Sequence, residues 1–133
     1  ALRAETPGDA RVALQQARLL LALGRPARAR QHIIDHVFAS PDRAAAWLRV
    51  ARAARTAGDC KRAGGGAVRA LAVATRLEQH LAAIAELRRC GLRTQMRQAA
   101  RAVLQMRWPL PRERVEGLVR RATSVGARRT PAR

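Results

Sequence analysis

In a chain of 133 residues, 27 basic side chains meet 9 acidic ones, leaving a formal net charge of +18, and every basic residue except Lys61 is arginine. Only Phe38, Trp47 and Trp108 are aromatic, and the apolar remainder is mostly Ala, Leu and Val, which suits thin helix-on-helix packing and excludes a β-sandwich. The length is that of one domain, and no apolar run is long enough to span a membrane, since Leu19 to Leu23 is bounded by Arg18 and Gly24.

Taken in chain order, residues 1–5 are expected to fray. Thr6-Pro7 places a capping hydroxyl before a proline at the first helical position. A first helix then runs to about residue 23, with Leu14, Ala17, Leu20 and Leu21 apolar. Gly24 closes it, and Pro26 opens a second helix carrying Ala29, Ile33, Ile34 and Val37. Ser40-Pro41 repeats the cap-then-proline device for a third helix, whose buried face would hold Ala44, Trp47, Val50, Ala51 and Ala54. Gly58 ends that helix, and Asp59 caps a fourth with Ala63, Ala67, Ala70 and Leu71. Gly64, Gly65 and Gly66 interrupt the fourth helix at about 2–3 kcal/mol relative to alanine, so a bend, a fray or a close helix crossing is expected there. A fifth helix is read over about 77–89 and a sixth over about 93–106. Trp108-Pro109-Leu110-Pro111 breaks the chain, and Pro111 opens a seventh to about residue 123. Residues 124–133 are basic with no apolar period, a loose tail.

The pattern repeats. A shift of 34 residues lays Gly24 on Gly58, Ala17 on Ala51 and Ala29 on Ala63, and two such steps from Pro41 reach Pro109. A degenerate third copy has Gly91 one residue early and Met96 near the slot of Ala63. This period, with Trp47 early and Ala five positions after the glycine, resembles the tetratricopeptide repeat. The resemblance implies an all-α fold of about seven helices, stacked as antiparallel pairs in a right-handed solenoid. Repeats would span 10–43, 44–77 and 78–110, and the lack of a polar capping helix suggests a piece of a longer array. Ala17, Leu20, Ala29, Trp47, Ala51, Ala63 and Ala70 would hold the hairpins together.

Catalytic constellations are sparse. His32 and His36 are four apart, but no third donor stands nearby, so a structural role outweighs a metal site. His80 carries no pattern. Glu78 and Glu86 are eight apart and read as exposed, and Gly64 to Gly66 lacks the Lys-Ser/Thr of a phosphate loop. Cys60 and Cys90 read as small buried hydrophobes, weakly favouring a reducing compartment. No enzyme activity, cofactor or metal is expected.

In tetratricopeptide repeats the first helix of each pair lines a groove for peptides or partner helices. By that resemblance the groove here carries Arg18, Arg49, Arg52 and Arg55, the last three on one stripe. Guanidinium forks grip carboxylates, so an acidic peptide is the expected ligand. Leu14 and Arg18 stand where the chaperone-binding members offer Lys and Asn, so their clamp is not reproduced. The run Gln31-x-Ile33, Val37, Pro41, Ala46-Trp47 and Gly65-Gly66-Ala67-Val68 is also similar to the large tetratricopeptide scaffold of the superkiller complex. That likeness covers under a third of the chain. It implies a cytoplasmic, non-catalytic scaffold holding an RNA helicase and a WD-repeat propeller for 3′-to-5′ mRNA decay. The alternatives are a stand-alone bacterial adaptor for an acidic peptide and a basic repeat that binds RNA directly. The shortage of aromatic residues weighs against single-stranded nucleic acid.

Overall fold

The computed structural model describes residues 9–124, which form seven helices and no strand. These are α1 (Asp9–Ala22), α2 (Pro26–Phe38), α3 (Arg43–Thr56), α4 (Cys60–Val73), α5 (Leu77–Arg89), α6 (Arg93–Gln105) and α7 (Arg112–Thr123). The expected fraying of residues 1–5, the Thr6-Pro7 start and all of the tail but Ser124 lie outside the described residues.

Three of the helix junctions share one device. Gly24, Gly58 and Gly91 have φ of 76°, 82° and 72°, a left-handed conformation that a β-carbon disfavours. This turn lets the next residue's N–H reach back five positions, from Arg25 to the Leu20 carbonyl, Asp59 to Ala54 and Leu92 to Leu87, at 2.8, 2.9 and 3.0 Å. The glycine N–H itself bonds the carbonyl three positions back, at 2.9 Å in all three turns. This is the Schellman arrangement, and it closes α1, α3 and α5 while reversing the chain into α2, α4 and α6. The burial pattern follows the same spacing: Ala17, Ala51 and Ile84 are fully enclosed, as are Ala29, Ala63 and, nearly so, Met96.

Each hairpin packs on the next. α1, α3, α5 and α7 touch in succession and form one layer, while α2, α4 and α6 each rest on the odd helix that follows them. Side chains are small where the layers meet, and the largest fully buried ones are Ile84, Leu87, Val37, Val50 and Val103. Leu20 is partly covered and packs against this core.

The glycine run settles as a close crossing, not a bend or a fray, for α4 continues unbroken through it. A β-carbon on Gly66 would stand 3.2 Å from the Cβ of Ala51 and 3.3 Å from its Cα and N, so the α3 and α4 backbones approach directly. A β-carbon on Gly64 would meet the Leu92 Cδ1 at 2.5 Å.

Three readings of the sequence need correction. The cap of α3 is Asp42, whose carboxylate accepts from the Ala45 N–H at 3.0 Å; Ser40 and Pro41 lie in the turn before it. Asp42 takes the role because it immediately precedes α3, two residues nearer than Ser40, and so can reach the first free N–H groups. Cys60 and Cys90 are not free thiols but a disulfide, with Cα atoms 5.4 Å apart, linking the start of α4 to the end of α5. The pairing removes the basis for expecting a reducing compartment. Glu86 is not exposed: only 6% of it is accessible, because it points from α5 toward α3, where Arg55 neutralises it. His80, for which the sequence carries no pattern, is buried edge-on to the Trp108 ring with centroids 5.4 Å apart.

A candidate docking surface of arginines

The four arginines expected in one groove have different fates. Arg55 sits between α3 and α5, its Nε donating to Glu86 Oε1 at 2.6 Å, with Arg89 on the other oxygen at 3.5 Å. Arg18 extends from α1 and donates to the Ala57 carbonyl at the end of α3, at 3.5 Å. Both are ties between neighbouring hairpins. Arg49 is exposed and donates to the Ser40 hydroxyl at 3.4 Å. Arg52 is exposed and has no acidic partner among the described residues. The stripe slants because spacing of three turns each residue about 60° back around the helix, which carries Arg55 into the α5 contact.

Two acidic side chains, Asp42 and Glu86, hold joints between helices. Asp42 accepts from the Gln79 amide at 3.1 Å and from Arg76 at 3.4 Å, while the Gln79 carbonyl oxygen accepts from the Thr75 and Arg76 N–H groups at 3.1 and 3.3 Å. One amide therefore links the start of α3 to the start of α5. Asp59 caps α4 through the Arg62 N–H at 3.0 Å, and Glu116 pairs with Arg112 at 3.1 Å on α7. The links from Asp42 to Gln79 and Arg76 and from Arg55 to Glu86 are not legible from the repeat pattern, because each joins helices more than 30 residues apart.

On the opposite side of α3, a cleft of about 140 Å³ opens between α2 and α4. Its floor is apolar, made by Ile33 and Ile34 of α2 with Trp47 and Val50 of α3. Gly65 and Gly66 form the α4 wall, and Arg30, Arg62 and Arg69 stand at the rim. The Arg69 guanidinium lies 5.2 Å from the Trp47 ring centroid, and Arg62 reaches Asp59 at 3.9 Å. The sequence holds a trace of this cleft in Arg62, Gly65 and Arg69, whose spacing of three and four puts them on one face of α4.

His32 and His36 are both half-buried on α2, and no cluster of three metal-binding side chains forms among the described residues. No helix among them is long and apolar enough to cross a membrane. No protein-family model, curated protein or solved structure matches the chain.

Proposed function

We propose that the chain is a non-catalytic helical-repeat module, stacked in the manner of a tetratricopeptide solenoid, that docks an acidic segment of a partner protein. The observation that carries this reading is the placement of charge. Asp42, Asp59, Glu86 and Glu116 pair with arginines of the same chain, whereas Arg52 and its neighbour Arg49 face outward with no carboxylate partner among the described residues. A protein carboxylate fits this face better than single-stranded RNA does. Trp47 is buried, Trp108 is half-buried with its indole committed to the Val103 carbonyl, and the exposed Phe38 ring is already covered on one face by Arg43 at 4.0 Å, which leaves a poor stacking platform beside these arginines.

The layered order of the helices and the three glycine turns support the solenoid reading. The narrower reading, a superkiller-type scaffold with helicase and propeller partners, rests on the Gln31 to Val68 likeness alone. The Cys60–Cys90 disulfide weighs against the cytoplasm that it implies and favours an oxidising setting.

Binding of a fluorescein-labelled polyglutamate peptide, followed by anisotropy, tests the docking reading. Arg49→Glu with Arg52→Glu should weaken it by about fivefold per charge, the size of an exposed ion pair near 1 kcal/mol. Unchanged affinity in the double variant, or tighter binding of an oligouridine with a log–log salt slope of about 0.7 per phosphate contact, would overturn the reading.

A further inference from the structure

We propose that the cleft between α2 and α4 is a second docking site, one that takes a single large apolar side chain of an acidic protein segment and grips its flanking carboxylates with Arg30, Arg62 and Arg69. The first support is Gly65. Gly64 and Gly66 lack a β-carbon for reasons internal to the fold, since one would run into Leu92 and the other into Ala51. A β-carbon on Gly65 would meet nothing within 4 Å. Glycine at that position therefore lowers helix stability without serving any contact inside the molecule. It lines the cleft, where a side chain would fill the space. A helical glycine with open space beside it is the residue that lets a ligand approach the backbone.

The size and lining of the cleft name the ligand. At about 140 Å³ it is close to the engineered apolar cavity of roughly 150 Å³ that holds one benzene. One phenylalanine or leucine side chain is the matching occupant for a floor of Ile33, Ile34, Trp47 and Val50. The rim supplies three guanidinium groups, and among the described residues the one carboxylate paired with any of them is Asp59, at 3.9 Å from Arg62. That positive rim calls for carboxylates on either side of the apolar anchor, where charge-assisted and bidentate bonds form.

This site goes beyond the Arg49 and Arg52 face. Val50 on the cleft floor and Arg52 are two residues apart on α3, so they point about 200° apart around the helix. The inference shares with the proposed function only the choice of a protein segment as ligand.

The test is an amide and indole NMR titration of the full chain with a blocked pentapeptide, Asp-Glu-Phe-Glu-Asp. The expected result is saturable shifts at the Gly65 and Gly66 amides and the Trp47 indole N–H. Replacing the peptide's phenylalanine by alanine, or introducing Arg30→Glu, should each weaken binding about tenfold. Gly65→Leu should weaken it at least tenfold while the melting temperature stays level or rises by about 3 °C, since leucine is the better helix former and enters open space. An intact affinity in Gly65→Leu would overturn the inference. So would an oligouridine that displaces the peptide from the cleft and binds more tightly. The two faces report separately: shifts confined to the Arg49 and Arg52 amides overturn the cleft and leave the docking reading standing. Shifts confined to the cleft do the reverse, and shifts at neither overturn both.

Discussion

Three adjacent glycines in one helix offer a direct measure of how closely α3 and α4 approach. Alanine is favoured over glycine in a helix interior by about 1 kcal/mol, and this gain applies equally at all three positions. At Gly65 nothing opposes it, because the new methyl group meets open space. Gly65→Ala should therefore stabilise the fold by about 1 kcal/mol, a rise of about 4 °C in melting temperature. At Gly66 the methyl carbon would lie 3.2 Å from the Ala51 Cβ and 3.3 Å from its Cα and N, inside the contact distance of about 3.5–4.0 Å. Ala51 is fully enclosed and its backbone cannot swing aside, so the helix axes must separate by a few tenths of an ångström. Overpacking of this kind costs about 1–3 kcal/mol, which exceeds the propensity gain and leaves Gly66→Ala less stable by about 1 kcal/mol. Gly64→Ala should fall between them, near neutral, because the obstacle is the end of the Leu92 side chain, which can rotate. Urea denaturation followed by far-ultraviolet circular dichroism resolves differences of this size. A Gly66→Ala protein as stable as Gly65→Ala would refute the direct backbone approach of the two helices.

Trp47 is 7% exposed among core residues, so Trp47→Ala should lose about 3 kcal/mol in the same denaturation assay; a loss under about 0.5 kcal/mol would contradict its burial. The Cys60–Cys90 disulfide closes a loop with a separation of 30 residues, for which the chain-entropy relation gives about 3.5 kcal/mol, so dithiothreitol should lower the melting temperature well beyond a Cys60→Ala/Cys90→Ala control in the same buffer. Burial pushes the His80 pKa below its ordinary value of 6.5, and a hydrogen bond with the Ala74 backbone opposes that only in part. The unfolded chain then takes up the proton first, so stability is intact above pH 6.5 and falls as pH drops below it; His80→Leu should flatten the melting temperature between about pH 7 and pH 5.

How much of this was legible in advance depends on whether a feature is local. The three glycine turns, the proline at the start of α2, the Asp59 cap and the limits of α5 are set by neighbours within one helical turn, and the residue pattern names them. Cross-links between hairpins are not local. The approach of Cys60 to Cys90 follows from α4 resting on α5, and that packing is invisible to a spacing rule that looks for paired cysteines within a few residues. Glu86 misleads for the same reason: its own helix suggests a solvated carboxylate, but Arg55 arrives from α3 to enclose it. The glycine run was open to three outcomes on composition alone. Only the position of Ala51 on the facing helix selects the close crossing.

The excess of arginine takes on a different meaning once the acids are located. Arginine in such numbers is equally what a GC-rich coding sequence produces, and net charge by itself supports only non-specific attraction to anions. What composition bias cannot arrange is where the few carboxylates stand. Asp42, Asp59 and Glu86 are placed at the starts and flanks of α3, α4 and α5, and each engages the arginine that reaches its joint. The joints thereby select which cations are paired within the fold: Arg55 and Arg62 partly buried, Arg76 and Arg89 at the surface. Arg30 and Arg52 are left over by that selection, and each lies on a surface with something further to offer a ligand, an apolar cleft in one case and the outward face of α3 in the other. A binding surface needs no enrichment of arginine to arise in this way. On the proposed reading it needs only that few carboxylates stand beside the exposed arginines, so that an acidic partner would supply the missing counter-charge.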